Sequence, residues 1–124
     1  MRSLTEHKVN GLNEALEISV MDQPGAGGAN HQYVIWLQAA PGESPSKLCE
    51  INFQNGPVLE AGFNGLSQEA LLAIVIDRLR SFQAGPFSTK DNAVALTHIE
   101  TGLLWLQKRT RDRMARGVEG TNVK

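Results

Sequence analysis

A helical hairpin is indicated at residues 67–91, where the chain reads SQEALLAIVIDRLRSFQAGPFSTKD. Ser67 is a suitable N-cap, and Glu69 follows in the first turn, where the helix dipole favours a carboxylate. Apolar residues then recur at helical spacing until a Gly-Pro pair supplies the stop signal. Residues 88–91 fit the capping pattern of a second helix. The segment therefore predicts one helix, a tight turn and the start of another.

The second helix is expected to carry an apolar seam. Its apolar side is spaced by threes and fours, as in helices that pack against a neighbour: Leu96, Ile99, Leu103, Leu106 and Thr110. Trp105 and Leu104 lie on other sides of this helix and are candidates for covering the sheet or a further interface. The helix is predicted to continue to about residue 115 and to end at Gly117. We expect residues 118–124 to be poorly ordered unless a neighbouring chain holds them.

The first half of the chain is typical of strands. Apolar and polar side chains alternate at residues 16–20 and 49–54, and residues 33–37 form a β-branched and aromatic run. Asn55-Gly56 predicts a tight hairpin turn, after which residues 58–63 are expected to return as a fourth strand. The pattern predicts an antiparallel meander of about four strands.

Together these patterns predict an α+β fold in a single domain, residues 1–124. An N-terminal antiparallel sheet is expected in residues 1–65, a C-terminal two-helix hairpin in residues 66–117, and a tail in residues 118–124. Cys49 is the one cysteine, so no intrachain disulfide is expected, and its strand position favours a buried small hydrophobe. The sequence shows neither a signal peptide nor a run of about 18 apolar residues. A soluble, cytoplasmic protein without a membrane partner is expected.

Basic charge is concentrated near the C-terminus. The net charge is −1, which argues against a general DNA-binding surface. Residues 1–107 carry 6 Lys and Arg against 11 Asp and Glu, whereas residues 108–116 carry five basic residues and one Asp. Arg109, Arg113 and Arg116 share one stripe of the helix, and arginine forks match phosphate oxygens. The alternative is a solvated helix end whose cations favour the C-terminal dipole.

Two further side chains near the turn of the hairpin are candidates for nucleotide contacts. Phe82 ends the first helix, where an aromatic ring suits either stacking on a nucleobase or capping of the hairpin core. Asn92 lies in the first turn of the second helix. Its amide suits hydrogen bonds to the edge of a base or ribose, and the alternative is an amide that faces solvent.

A glycine-rich loop at residues 22–31 is the remaining candidate. Gly27, Gly28 and Asn30 lie in it, and glycines allow backbone N–H groups to approach an anion closely. The loop lacks the Lys and Ser/Thr of a Walker motif and leads into a strand. It fits either a lid over a ligand or a flexible hairpin loop.

The side chains that could take part in catalysis favour binding of a ligand without turnover. His7, His31 and His98 fall in separate elements without metal-ligand spacing. No nucleophile and base form a convincing pair. We therefore expect no catalytic residue, no metal site and no cofactor, and hence a protein that is not an enzyme.

Four segments resemble the Thoeris anti-defence protein 1 family. They are DQPGAGGANH at residues 22–31, FQNGP at 53–57, EALLAIVIDRL at 69–79 and RMARGVEGT at 113–121. The hairpin also resembles that of the related anti-CBASS protein 2. The resemblance implies a phage sponge that sequesters glycocyclic ADP-ribose isomers, made by bacterial TIR proteins, in the host cytoplasm without cleaving them.

The same resemblance implies residue roles and partners. It puts adenine against Phe82, polar recognition at Asn92 and the phosphates at Arg109 and Arg113. It also implies a separate site for cyclic di- or trinucleotides, to which no residue is assigned here, and homo-oligomers built from dimers, up to hexamers. The competing hypotheses are a nucleotide-hydrolysing enzyme and a nucleic-acid or protein adaptor that uses the arginine-rich helix end.

Helix geometry predicts that the pocket is shared between chains. Asn92 and Arg109 are 17 residues apart, which is roughly 25 Å at 1.5 Å per residue. A cyclic ADP-ribose is only about half that width. If both residues contact one ligand, the arginine must come from an antiparallel partner in a two-fold dimer.

Overall fold

The computed structural model describes residues 2–124, which form two compact units divided between Leu66 and Ser67. The first unit contains a four-stranded sheet, with strands β1 (Arg2–Leu4), β2 (Leu16–Val20), β3 (Gln32–Leu37) and β4 (Ser46–Asn52). The strands lie in chain order, and each pairs with its neighbour in antiparallel fashion. The α+β fold with an N-terminal antiparallel sheet is therefore confirmed.

The sequence-based position of the fourth strand is wrong. Residues 58–63 do not form a strand; instead a one-turn helix, α2 (Val58–Ala61), follows a short helix α1 (Gly11–Ala15) in chain order. Pro57 precedes α2 with φ −65°, and its carbonyl accepts the N–H of Ala61 at 2.7 Å. A proline fixes φ and donates no hydrogen bond to a sheet, so it suits a helix start here. The fourth strand is β1, which pairs with β2.

The second unit, Ser67–Lys124, is the helical hairpin. Helix α3 spans Gln68–Gln83 and helix α4 spans Lys90–Ala115. The Ser67 hydroxyl accepts the N–H of Ala70 at 3.2 Å, and the Thr89 hydroxyl accepts the N–H of Asn92 at 3.0 Å. The predicted N-cap Ser67 is therefore confirmed, and the N-cap of the second helix, Thr89, falls within the predicted capping segment 88–91.

Few side chains are buried in the isolated chain. The buried apolar residues of the described part are Val20, Val34 and Ile76, whereas Phe63 is 91% and Trp105 is 67% exposed. The predicted seam of α4 is half-buried along its whole length. The expectation of a buried Cys49 is wrong, because β4 is an edge strand in which six of seven residues are exposed. No helix within residues 2–124 has the length and apolarity needed to cross a bilayer.

Candidate functional site

A basic cavity of about 480 Å³ lies at the C-terminal end of α4. Five of its lining side chains are basic and one is acidic. The lining residues are Trp105, Lys108, Arg109, Asp112, Arg113, Arg116 and Lys124. The structure thus brings together the three arginines that the sequence placed on one stripe. Such a density of cations suits a ligand with more than one negative charge.

Arg109 and Arg116 are the available cations of this cavity. Both are exposed, and neither side chain forms a hydrogen bond or ion pair with the other residues described in 2–124. Lys108 differs, because its ammonium lies 2.6 Å from the Asp112 carboxylate. Asp112, the acidic residue that lines the cavity, is therefore paired with Lys108, one helical turn away on α4. It does not neutralise the positive charges of Arg109 and Arg116.

Arg113 is buried, with 8% of its surface exposed. Its Nη2 donates to the carbonyls of Val118 at 2.9 Å and Thr121 at 3.0 Å, and its Nη1 donates to the carbonyl of Val123. Its Nε lies 3.3 Å from a carboxylate oxygen of Glu119. A buried guanidinium requires such acceptors, since an unpaired buried charge is strongly destabilising.

The C-terminal tail, residues 118–124, is therefore held by its own chain. Gly117 follows α4 with φ +72° and turns the chain back, so that the Val118 N–H reaches the Arg113 carbonyl at 3.0 Å. The expectation of a poorly ordered tail is wrong, because Arg113 supplies the anchor that the sequence pattern did not reveal.

Phe82 and Asn92 lie at the other end of the hairpin. Phe82 is half-buried, and the guanidinium carbon of Arg78 lies 4.9 Å from its ring centroid. Gln83 braces the turn, because its side chain accepts the Thr89 N–H at 3.1 Å and donates to the Thr89 carbonyl at 3.0 Å. Asn92 is half-buried in the first turn of α4. The two residues thus flank the same well-ordered turn.

Within one chain, Phe82 and Asn92 lie at the opposite end of the hairpin from Arg109 and the other arginines. Helix α4 is continuous over 26 residues, so Asn92 and Arg109 remain roughly 25 Å apart along its axis. No single hairpin presents both ends to one small ligand.

The glycine-rich loop lies in the first unit and is braced internally. Gly27 and Gly28 adopt φ +72° and +80°, and the Gly28 N–H is used within the loop, at 3.0 Å from the Gly25 carbonyl. The Asn30 side chain accepts from Arg2 at 2.8 Å and donates to the Asp22 carbonyl at 2.7 Å. These contacts hold Gly27, Gly28 and Asn30 as parts of an ordered loop.

The carboxylate of Asp22 closes the base of this loop. It accepts the backbone N–H groups of His31 at 3.0 Å and Gln32 at 3.2 Å. Desolvation raises the pKa of Asp22, but these hydrogen bonds outweigh it and leave the pKa below its ordinary value. The ionised carboxylate therefore contributes to loop order at neutral pH, and that contribution is lost as the pH falls through the folded-state pKa.

Four residues of the basic cavity were not among the predicted site residues: Trp105, Lys108, Asp112 and Lys124. The position of Trp105, four residues before Arg109, was a local signal for a shared face. Lys124 had no such signal, because its place depends on the contacts of the tail.

The fold and the cavity define a small α+β protein whose helical hairpin ends in a cluster of arginines. Residues 45–111 match the family model described as Acb2/Tad1, hairpin domain, and the chain belongs to this family. The match includes Phe82, Asn92 and Arg109, and it ends before Arg113 and the tail.

The chain is also similar to the protein named Thoeris anti-defense 1 from Bacillus phage SBSphiJ7. The two are 53% identical over 78 residues, a stretch that covers 63% of this chain and 55% of the relative. The chain thus spans just over half the length of the curated relative that it matches.

Proposed function

We propose that this protein is an anti-defence sponge that binds glycocyclic ADP-ribose signals made by bacterial TIR proteins and keeps them from their receptor. It acts in the cytoplasm of the bacterial host and does not cleave the ligand. The observation that carries this proposal is the basic cavity with the uncompensated Arg109 and Arg116. The family and the name of the phage relative support an anti-defence role.

The proposed ligand has chemistry that matches the two ends of the hairpin. Its diphosphate suits the arginines, because guanidinium groups bind phosphate oxygens through charge-assisted hydrogen bonds. We assign the phosphates to Arg109 and Arg113, with Arg116 nearby. Because three tail carbonyls and the Glu119 carboxylate engage the Arg113 guanidinium in the free chain, a phosphate at Arg113 would share the guanidinium with these acceptors or displace them. Its adenine suits the Phe82 ring, and the Asn92 amide is suited to a base or ribose edge.

We further propose that the ligand site is shared by two copies of the chain. The separation of about 25 Å along α4 requires that Phe82 and Asn92 of one copy meet Arg109 of another. The sparse core supports a homo-oligomer, because Ile74 and Leu104 are 65% and 59% exposed on the hairpin. The proposed assembly is built from dimers and extends to hexamers.

Sequestration is favoured over hydrolysis by the pairing of the cavity carboxylate. Asp112 is the one acidic residue that lines the cavity, and Lys108 holds its carboxylate at 2.6 Å. A carboxylate engaged in this way is not directed at a water molecule that would attack the ligand. An adaptor for nucleic acid or protein remains the other alternative, since arginines at a helix end also suit those partners.

Cyclic di- or trinucleotides are proposed as further ligands at a separate site. The ordered glycine-rich loop, with Gly27, Gly28 and Asn30, is the alternative location for anion binding in this chain. If Arg109→Ala binds glycocyclic ADP-ribose as the wild type does, the phosphates bind at this loop; if it binds more weakly, they bind at the arginines of the hairpin.

One experiment separates the three functions. The protein is incubated with glycocyclic ADP-ribose, separated from free ligand by gel filtration, and then denatured by heat. A sponge releases the intact compound, an enzyme releases a product, and an adaptor releases neither. Release of a product, or of nothing, would contradict the proposed function.

The Phe82 ring is expected to contribute a large share of the affinity. Because a stacked base gains about 1–3 kcal/mol from an aromatic face, Phe82→Leu should weaken binding of glycocyclic ADP-ribose by roughly 5- to 150-fold. Leucine retains an apolar side chain and removes the ring, so the fold should persist. Isothermal titration calorimetry measures the affinity, and far-UV circular dichroism checks the fold. A Phe82→Leu protein that binds as the wild type does would show that the ring only caps the hairpin core.

A further inference from the structure

A second cavity, the amide cavity, lies in the first unit, where the glycine-rich loop meets the end of β4, and has a volume of about 290 Å³. It is lined by one histidine, one phenylalanine and four amide side chains: His31, Gln32, Asn52, Phe53, Asn55 and Asn64. Within residues 2–124, no lysine, arginine or carboxylate lines it, and it shares no residue with the basic cavity of α4. This lining suits an uncharged ligand that forms several hydrogen bonds.

Side-chain amides tie together the three segments that surround the amide cavity. Asn55 Oδ1 accepts the Ala26 N–H at 3.1 Å, which joins the glycine-rich loop to the turn after β4. The Asn64 side chain joins that turn to the next loop, because it accepts the Asn55 N–H and donates to the Asn55 carbonyl, both at 2.7 Å. A Cβ on Gly25 would lie 3.0 Å from His31 Cδ2 and 3.2 Å from Asn55 Nδ2, so these two side chains are adjacent. Walls that are ordered in advance lower the entropy cost of binding a ligand.

His31 is the buried member of this lining, with 9% of its surface exposed. Its Nε2 lies 3.0 Å from the Ala26 carbonyl, and a carbonyl only accepts, so Nε2 carries the proton. Nδ1 of the neutral ring is therefore an acceptor, and no residue within 2–124 donates to it. Within the same residues, every side-chain nitrogen that is sealed from solvent has a partner. Nδ1 is thus open to solvent, and the space that His31 lines is the amide cavity.

Phe53 and Asn55 supply the other groups that a flat heterocycle requires. Tyr33 packs edge-to-face on Phe53, with ring centroids 5.7 Å apart and an interplanar angle of 83°, and so holds the Phe53 ring in place. The Asn55 Nδ2 group donates to no residue within 2–124, although its Oδ1 is engaged. An open acceptor on His31, an open amide donor beside it and an aromatic ring match a base whose edge carries an amino group next to a ring nitrogen.

We infer that the amide cavity binds an uncharged nucleobase that bears an exocyclic amino group, as adenine does. The amino group donates to His31 Nδ1, and Asn55 Nδ2 donates to the neighbouring ring nitrogen. The volume of about 290 Å³ lies at the lower end of the roughly 300–1,000 Å³ typical of ligand sites, which suits one ring system. The inference uses no arginine of α4 and goes beyond the proposed function without depending on it.

Adenosine tests the inference, because it carries the base without a phosphate. Calorimetry should show that the wild type binds adenosine, and binds purine riboside, which lacks the amino group, roughly tenfold more weakly. His31→Gln retains an N–H donor for the Ala26 carbonyl and removes Nδ1. This variant should bind adenosine roughly tenfold more weakly and should no longer distinguish adenosine from purine riboside. A general loss of fold would not produce this coupling between one ligand group and one side chain.

Asn55→Asp tests the donor while preserving the loop. Aspartate retains Oδ1 for the Ala26 N–H and removes the Nδ2 donor, so adenosine binding should weaken roughly tenfold while the Ala26 N–H stays protected from hydrogen exchange. Gln68→Glu is the matched control, because it makes the same change of amide to carboxylate outside the cavity. It should leave the affinity within about twofold of the wild type. A wild type that binds no adenosine, or an Asn55→Asp protein with a protected Ala26 N–H and unchanged affinity, overturns the inference.

Phe82→Leu keeps this inference and the proposed function apart, because the adenine of the proposed signal is assigned to Phe82. If Phe82→Leu abolishes adenosine binding while His31→Gln and Asn55→Asp leave it unchanged, the amide cavity is no base site and the inference fails alone. If His31→Gln and Asn55→Asp weaken binding and Phe82→Leu does not, the inference stands even where glycocyclic ADP-ribose fails to bind. Where both sites take adenosine, each set of variants should remove one of two bound molecules per chain.

Discussion

Arg109→Ala is expected to weaken binding of glycocyclic ADP-ribose by roughly 10- to 150-fold. The estimate follows from the loss of a charge-assisted hydrogen bond, worth about 1.5–3 kcal/mol. Arg109 is exposed, lines the basic cavity and has no partner among the described residues 2–124, so its removal should cost little stability. Calorimetry measures the affinity, and the difference between wild type and variant should shrink as salt is added.

Arg111 offers a matched control for this prediction. Arg111→Ala changes the net charge by the same amount, two residues away on α4, but Arg111 is not among the residues that line the cavity. Its replacement should leave the affinity within about twofold of the wild type, because an exposed charge at that distance is largely screened. Equal losses in both variants would indicate a general charge effect, and no loss at Arg109 would direct attention to the glycine-rich loop.

Mixing Phe82→Ala protein with Arg109→Ala protein is expected to restore binding that neither pool shows alone. In a mixed dimer, one pocket combines both changed residues and the other combines the intact Phe82 with the intact Arg109. At equal and random mixing, about a quarter of all pockets should regain ligand. Subunit exchange is followed by native mass spectrometry of two pools with different isotope labels.

Two controls define the mixing result. Two labelled pools of the same variant should exchange without any recovery, which excludes refolding as the cause. A mixture with demonstrated exchange and no recovered sites would be incompatible with the shared pocket. It would place Phe82 and Arg109 in sites that act separately.

The helical hairpin could be predicted because its signals are local. Ser67 caps α3 as predicted, and the cap of α4, Thr89, lies in the predicted capping segment 88–91. The arginine stripe follows from spacing along one helix. The sheet was predicted less completely. β1 has three residues, too few for a periodic pattern, and α2 was mistaken for a strand after Pro57 because the turn before it suggested a hairpin.

The tail could not be predicted, because its order depends on contacts that no local pattern records. The Arg113 guanidinium reaches the Val123 carbonyl across ten residues of sequence. An arginine in a basic stripe suggests a solvent-facing side chain that binds phosphate. The burial of the Arg113 side chain against three carbonyls is visible only in the folded chain. Lys124 lines the cavity through the same tail contacts, so its place there could not be predicted either.

The uninterrupted length of α4 has a consequence for how the protein would fill with ligand. In the proposed antiparallel pair, the two pockets lie near opposite ends of the helices, roughly 25 Å apart. That separation exceeds the Debye length of about 8 Å at physiological ionic strength, so phosphates in one pocket would exert little repulsion on the other. Each pocket would therefore fill independently with a hyperbolic isotherm, and the amount of signal removed would rise in direct proportion to the amount of protein made.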